Sequence, residues 1–255
     1  ACKITMEVPE SAVRIFLKNI LKGCRIGVNM NLFDIVGPVM VGPSSSHTAG
    51  AVRIGHIARR LLNEPAAKAK IFLHGSFLAT GKGHGTDRAL IAGLLGMSTD
   101  DERIPDSFAW ADKLGLAYSF AGIELQDAHP NSVFMKLTGA KGRHLELIAS
   151  SLGGGRIKVC EIDGLEANFC GDYPTLIVRN QDQPGHVAEV TSMLAHKSVN
   201  IATMQLYRDK RGGSAVLVLE CDKEVPRESI KWLEKLEGIY KVTYLSLEEA
   251  KKESS

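Results

Sequence analysis

The chain has 255 residues, a length that accommodates one large domain or two ordinary ones. Hydrophobic residues make up 44% of the sequence and charged residues 24%, which excludes wholesale disorder. Lysine and arginine (31) almost balance aspartate and glutamate (29), and the formal net charge of +2 argues against a general polyanion-binding protein.

The cysteines are odd in number, widely spaced and without a C-x-x-C pair: Cys2, Cys24, Cys160, Cys170 and Cys221. This pattern argues against a disulfide framework and indicates a reducing compartment, so we expect a cytoplasmic protein. Neither the cysteines nor the histidines have the spacing of a zinc or iron–sulfur site, and the sequence predicts no metal ligand in this chain. Every apolar run is shorter than the ~18 residues that a membrane span needs.

Residues 1–29 form a short basic and mildly amphipathic stretch. Lys18 and Asn19 interrupt its apolar part, which is unlike the continuous core of a signal peptide. We interpret this stretch as an added or upstream extension. The alternative is an N-terminal helix that packs on a partner, and we assign it no function.

Residues 30–171 predict a mixed α/β domain. An apolar stretch broken by Gly37 and Pro38 leads into the serine-rich segment Pro43–Gly50, and apolar residues at helical spacing follow it. Downstream we expect a glycine-rich loop over 75–86, a helix over 87–95, and strands at 69–74, 121–125, 132–138, 145–151 and 157–162. The last two strands are joined by three consecutive glycines.

Residues 172–248 show a different pattern of predicted strands and helices. We predict strands at 174–180, 199–208, 214–221 and 239–246, and helices at 185–194 and from Pro226 onward. The order β-α-β-β-α-β is the ferredoxin-like plan, so the whole chain is of the α+β class. Residues 249–255 are a charged tail.

The serine-rich segment lies where a loop turns into a helix. The start of a helix has unsatisfied N–H groups and a partial positive charge, which suit a phosphate or a carboxylate. A lone serine there would only cap the helix. Three serines beside a histidine and a threonine favour a ligand site: Ser44, Ser45, Ser46, His47 and Thr48.

A second set of polar residues, Lys82, His84 and Thr86, stands among the glycines of 81–85. The spacing matches neither the phosphate loop nor the dinucleotide fingerprint. Two interpretations remain open. The segment is either a flexible loop that carries a cation and a histidine to a substrate, or a long turn with Asp87 as a helix cap.

A third motif, His129-Pro130-Asn131, lies between two predicted strands. The proline stiffens the bend and places an imidazole and an amide two residues apart. Histidine can transfer a proton near neutral pH, although an isolated loop histidine is usually only a polar residue of the protein surface.

Four segments resemble the beta chain of the two-subunit, iron–sulfur-dependent L-serine dehydratases: residues 33–55, 80–87, 128–131 and 151–155. The resemblance implies a first domain similar to the allosteric substrate-binding domain of D-3-phosphoglycerate dehydrogenases. It implies a second domain of the ACT type.

The resemblance also implies conversion of L-serine to pyruvate and ammonia. In this family a [4Fe–4S] cluster, held by cysteines of the alpha subunit, acts as a Lewis acid on the substrate hydroxyl. We therefore expect an alpha partner and no activity from this chain alone. His47 and His129 are the candidate acid/base groups, and Asn131 and the hydroxyls of the serine segment bind substrate. Lys82, His84 and Thr86 rank second, on a loop that closes over the site.

In the ACT part, the resemblance places a regulatory serine site on Asn180, Asp182, Gly185 and Asn200, commonly across a dimer of domains. The alternative is that Pro184-Gly185 only marks a helix start. Gln183 stands where an arginine is frequent, which leaves the identity of the effector open.

Two rival functions remain. One is an amino-acid-sensing subunit without catalytic residues, and the other is a phosphate-binding enzyme that uses Ser44–Ser46.

Overall fold

The structure, a computed structural model, describes residues 38–246. The interpretations given above to residues 1–29 and to the tail at 249–255 concern parts of the chain outside this range. Within the range, every helix is too short or too polar to cross a bilayer.

The first part of the structure is a six-stranded sheet with helices on one face. Its strands lie in the order β2-β1-β3-β4-β5-β6, with β1 and β2 parallel and the remaining pairs antiparallel. Alternating burial, as in β1, shows one face turned to the core and the other to solvent. The helices are α1 (Gly50–Leu62), α2 (Gly75–His84), α3 (Thr86–Leu94) and α4 (Ser107–Leu114); the strands are β1 (Ala66–Leu73), β2 (Ala117–Gly122), β3 (Ser132–Gly139), β4 (His144–Gly153), β5 (Arg156–Ile162) and β6 (Leu165–Phe169).

Helices α1 and α3 cross at two glycines. A Cβ atom at Gly55 would lie 2.4 Å from the carbonyl oxygen of Leu90, and one at Gly93 would lie 2.1 Å from that of Val52. Both obstacles are backbone, so only glycine permits this approach. The crossing fixes the direction of α1, whose first turn follows the serine segment.

The second part is a four-stranded antiparallel sheet in the order β10-β7-β9-β8. Its elements are β7 (Thr175–Gln181), α5 (His186–His196), β8 (Ile201–Arg208), β9 (Ser214–Cys221), α6 (Arg227–Leu233) and β10 (Ile239–Leu245). This is the predicted ferredoxin-like order.

Strands β7 and β9 of the second sheet are covered on both faces. One face packs under α5 and α6 around Leu176, Val178 and Leu217. On the other face, Ile177, Val216, Val218 and Leu245 belong to the same apolar cluster as the first sheet and α1. One apolar cluster therefore extends across both parts, and the second part also has a cluster of its own beneath α5 and α6.

A buried carboxylate on the second sheet contacts the segment that follows the first sheet. Glu220 of β9 is 5% exposed. It accepts hydrogen bonds from the backbone N–H of Cys170 (3.1 Å) and from the hydroxyl of Thr203 (2.8 Å). The charge is thus satisfied by donors from both parts of the chain.

The sequence predictions were wrong for the glycine-rich segment. The predicted loop over 75–86 is helix α2, which ends at Gly85 with φ +69°, and α3 begins one residue later. Glycine disfavours helix by about 1 kcal/mol per residue, but tertiary packing overrides this preference here, since Phe77 and Gly81 of α2 are buried. Strand β2 lies four residues before the predicted 121–125, and α4 and β6 were not predicted.

Candidate active site

The serine segment forms a single π-helical turn, Ser45–Ala49, that continues into α1. Ser44 caps this turn from an extended conformation, and its hydroxyl accepts a hydrogen bond from the N–H of His47 at 3.1 Å. Isolated π turns inside helices are frequent at functional sites. Ser44 thus performs the capping role, which leaves the next two serines for other contacts.

Ser45 and Ser46 are half-buried and lie in the first turn. Neither hydroxyl has a hydrogen-bond partner within residues 38–246. Their N–H groups belong to the turn that lacks intrahelical acceptors, where an anion is favoured. The two hydroxyls and the two N–H groups therefore lie in the same first turn, which is suited to a carboxylate.

His47 is held by α2. Its Nε2 lies 3.1 Å from the Ser76 hydroxyl and 3.0 Å from the Thr80 hydroxyl. Partial burial, and secondly the neighbouring imidazole of His84 at 4.9 Å between ring centroids, lower the pKa of His47. The imidazole is therefore neutral at neutral pH and can accept a proton.

Thr48 fastens the serine turn to α2. The side chain is 2% exposed, and its hydroxyl donates to the carbonyl oxygen of His84 at 3.1 Å. A Cβ atom at Gly42 would lie 2.5 Å from the Cγ2 atom of Thr48. The contact ties the turn to the end of the helix that bears Ser76 and Thr80.

The His129 motif lies against the start of α2. The N–H of Ser76 donates to the carbonyl oxygen of Pro130 at 2.7 Å, and the N–H of Asn131 donates to His129 Nδ1 at 3.1 Å. That bond fixes the Nε2–H tautomer for a neutral ring. His129 also borders a cavity of about 480 Å³ between the loop and strands β4 and β5. Ser76 is the common neighbour of His47 and this motif.

The second-rank residues lie on two helices rather than on a loop. Lys82 and His84 belong to α2. Thr86 opens α3, is fully buried, and its hydroxyl has no partner among the described residues. The predicted closing loop is wrong for this reason, and so is the alternative cap at Asp87, because Gly85 occupies the cap of α3.

A glycine hairpin borders the serine turn from the side of β4. Gly153, Gly154 and Gly155 all have positive φ, between 62° and 91°. A Cβ atom at Gly153 would lie 3.5 Å from the hydroxyl of Ser46, and one at Gly50 would lie 2.0 Å from that of Ser151. The hairpin therefore lies beside the turn, and the positive φ at its three residues favours glycine there.

Three site residues were missed by the sequence analysis: Ser76, Thr80 and Ser151. Ser76, Thr80 and His84 are spaced four residues apart and share one face of α2. That spacing would have been visible had the segment been predicted as helix. The N–H of Ser151 donates to the carbonyl oxygen of Asn131 at 2.9 Å, a contact between distant segments that no local pattern indicates.

The predicted regulatory residues do not all meet in one chain. Asn180 is buried, and the carboxylate of Asp182 accepts from the N–H of Gly212 at 3.0 Å and from Arg208 at 3.2 Å. These bonds lower the pKa of Asp182. Gly185, at φ +110°, caps α5 beside them.

Asn200 lies at the other end of the sheet. It precedes Ile201, which pairs with Cys221, whereas Gln181 pairs with Ser214 at the opposite end of β9. Its side chain donates to Asp222 at 2.5 Å. A single chain therefore leaves Asn200 apart from the Asn180 loop.

The cysteines of residues 38–246 do not form an iron–sulfur site. Burial raises the pKa of the Cys170 thiol to about 12 and that of Cys221 to about 11, so both are protonated. Cys160 lies 3.7 Å from the hydroxyl of Ser150. Over this range there is no group of three or more potential metal-ligating side chains, and a cluster does not fit this part of the chain.

Comparison with known proteins shows which family the chain belongs to. The family model "Serine dehydratase beta chain" matches residues 30–117, and the model "ACT domain" matches residues 174–238. The "Probable L-serine dehydratase, beta chain" of Bacillus subtilis is 39% identical over 216 residues, which cover 85% of this chain and 98% of the relative. The chain belongs to the L-serine dehydratase beta-chain family.

One further relative agrees with this membership, and another is consistent with the predicted fold class. The beta chain of Peptoniphilus asaccharolyticus L-serine dehydratase is 41% identical over 78% of this chain and 90% of its own length. The D-3-phosphoglycerate dehydrogenase of Bacillus subtilis is 25% identical over 77% of this beta chain, but over only 37% of its own length. The predicted resemblance and fold class are thus confirmed, while the roles of individual site residues stay predictions.

Proposed function

We propose that this chain is the beta subunit of an L-serine dehydratase, which converts L-serine to pyruvate and ammonia, and that the serine turn is its substrate site. The observation that supports this most strongly is the π-helical turn itself. It presents the unpartnered hydroxyls of Ser45 and Ser46 beside a histidine that is neutral at neutral pH. The turn suits the carboxylate of an amino acid, and the histidine suits proton transfer.

The position of each residue in the site indicates its role in this proposal. The first-turn N–H groups with Ser45 and Ser46 hold the carboxylate of serine. His47 accepts or donates a proton at Nε2, where the hydroxyls of Ser76 and Thr80 orient the ring at 3.1 and 3.0 Å. The segment His129–Asn131 lies next to Ser76, which also contacts His47. In this proposal His129 is a second acid/base group and Asn131 is a substrate ligand.

The iron–sulfur cluster belongs to the alpha partner in this proposal, in keeping with the lack of a thiolate group in residues 38–246. When bound, the cluster would supply Lewis-acid polarisation of the serine hydroxyl. The beta chain alone is then inactive.

A regulatory serine site in the ACT part needs two copies of the chain. Asn180, Asp182 and Gly185 lie at one end of the second sheet, and Asn200 lies at the other. Two such domains side by side in antiparallel orientation bring the Asn180 loop of one copy to Asn200 of the other. We therefore propose that the ACT part dimerises and binds serine at the shared edge.

Anaerobic reconstitution with the alpha partner tests the catalytic proposal. We expect His47→Ala to lower kcat by about 10²–10⁴, as the loss of a general acid or base does. Ser45→Ala with Ser46→Ala should mainly raise KM. Ser119→Ala on the exposed side of β2 is the matched control and should leave both parameters unchanged.

A different outcome would favour a sensing subunit. If turnover is unchanged in both the His47→Ala and the His129→Ala variants while serine still binds to residues 174–246, the catalytic assignment is wrong.

A further inference from the structure

One stripe of helix α1 contacts the second part of the chain where that part begins and ends. The stripe consists of Arg53, Ile57 and Arg60, which share a helix face. Arg53 Nη2 donates to the carboxylate of Asp172. A Cβ atom at Gly171 would lie 2.8 Å from Ile57 Cδ1.

Arg60 completes this contact at the far end, where its Nη2 donates to the carbonyl oxygen of Ser246. Residues 171–172 lead into β7, and Ser246 follows β10. Helix α1, which follows the serine turn Ser45–Ala49, thus contacts both ends of the ACT part.

Arg53 has a second contact that leads back to the substrate turn. Its Nη1 donates to the carbonyl oxygen of Gly155 at 2.9 Å. Gly155 ends the glycine hairpin, and a Cβ atom at Gly153 in the same hairpin would be in van der Waals contact with the Ser46 hydroxyl, at 3.5 Å. One guanidinium therefore joins the linker before the ACT part to the wall of the proposed serine site.

This double contact requires arginine. The planar guanidinium directs separate N–H groups to two acceptors, and it stays charged at every working pH. A lysine ammonium could pair with Asp172, but it is a compact point charge without the fork that also reaches the hairpin.

We propose that Arg53 is a positioning residue that couples the ACT part to the substrate turn. A displacement of residues 171–172 withdraws Arg53 from the Gly155 carbonyl, and the hairpin then no longer fixes the position of Ser46. The expected consequence is a change in the affinity for serine with little change in the chemical step. This inference rests on the proposed function of the serine turn.

The experiment uses the enzyme reconstituted with its alpha partner and three variants: Arg53→Ala, Arg53→Lys and Asp172→Ala. We expect each variant to raise KM about five- to tenfold, within the usual range of coupling between sites, and to leave kcat within twofold. Lysine should fail to restore KM, because it retains the charge but not the fork.

Arg179→Ala is the matched control. Arg179 also joins the two parts of the chain, through a 2.7 Å ion pair with Asp163, and its side chain is 27% exposed against 30% for Arg53. The pair lies at the β5–β6 turn, away from the glycine hairpin. KM should be unchanged in this variant, and an equal rise in KM would show general loss of docking and overturn the proposal.

Hydrogen exchange gives a readout that does not depend on activity. The amides of Thr48 and Ala49 are protected by the Ser44 carbonyl oxygen at 2.8 and 3.4 Å. Arg53→Ala should accelerate their exchange, and Arg179→Ala should not. Unchanged exchange and unchanged KM in Arg53→Ala refute the coupling. If the reconstituted wild-type enzyme does not turn over serine but Arg53→Ala still accelerates exchange, the proposed function is refuted and the coupling is not.

Discussion

The contact between Gly50 and Ser151 makes a sharp prediction about the serine turn. Gly50 has ordinary right-handed helical dihedrals, φ −62° and ψ −40°, so an alanine there meets no backbone strain. The added Cβ atom would nevertheless lie 2.0 Å from Ser151 Oγ and 2.8 Å from Ser151 Cβ. Rotating the hydroxyl away does not relieve the second clash, so the turn must move from strand β4.

We expect Gly50→Ala to lower the free energy of unfolding by about 1–3 kcal/mol, the range for overpacking a buried site. It should also weaken serine binding by the reconstituted enzyme, because the displaced turn carries Ser45 and Ser46. Urea denaturation followed by circular dichroism measures the first effect, and KM measures the second.

Two further variants make the comparison decisive. Gly83→Ala is the matched helical control: a Cβ atom there meets nothing within 4 Å, so the variant should be neutral or up to about 1 kcal/mol more stable. Ser151→Gly removes both clashing atoms, so the double variant should lose less stability than the two single losses together. If Gly50→Ala is as stable as Gly83→Ala, the packing argument is wrong.

The remaining predictions concern charge and packing elsewhere. His84→Ala should raise the pKa of His47 in an NMR titration, because it removes a neighbouring imidazole whose electrostatic effect lowers that pKa; no shift would contradict this. Because the pKa of His47 is lower in the folded than in the unfolded chain, its contribution to stability is complete above about pH 6.5 and declines as the pH falls towards the folded-state pKa, as urea titrations should show. Glu220→Ala should cost about 1–3 kcal/mol in urea unfolding, since it removes the acceptor of the part-buried hydrogen bonds from Cys170 and Thr203, whereas the surface variant Glu228→Ala should change stability by less than about 0.5 kcal/mol. Gly93→Ala should destabilise at least as much as Gly50→Ala, because its Cβ atom would meet the backbone of Val52; a soluble and equally stable variant would refute that.

The ACT part was largely predictable because its elements alternate regularly and its turns carry strong signals. Strand β9 was predicted with its observed bounds, 214–221, and the six elements appear in the expected order. Helix α2 was not predicted, because a segment with three glycines in five residues has low helix propensity. The contacts of Phe77 and Gly81 decide its conformation, and these depend on distant parts of the chain.

The candidate site was predictable in its residue types but not in its geometry. The sequence indicated an anion site at a helix start, and the structure places the serine turn there. It did not indicate that Ser76 and Thr80 orient His47, because both lie on the helix that was taken for a loop. Nor did it indicate that Gly50 lies close against Ser151, a contact between two segments about a hundred residues apart.

The apolar cluster common to both sheets has a practical consequence for dissecting this protein. An excised fragment starting near residue 172 would expose Ile177, Val216, Val218 and Leu245 to water. The remaining fragment would expose the apolar residues that pack against these four. Neither half should then behave as a well-folded module in isolation. The full chain should melt in one cooperative step, and a graft of an unrelated ACT sequence would succeed only if it recreated that apolar underside.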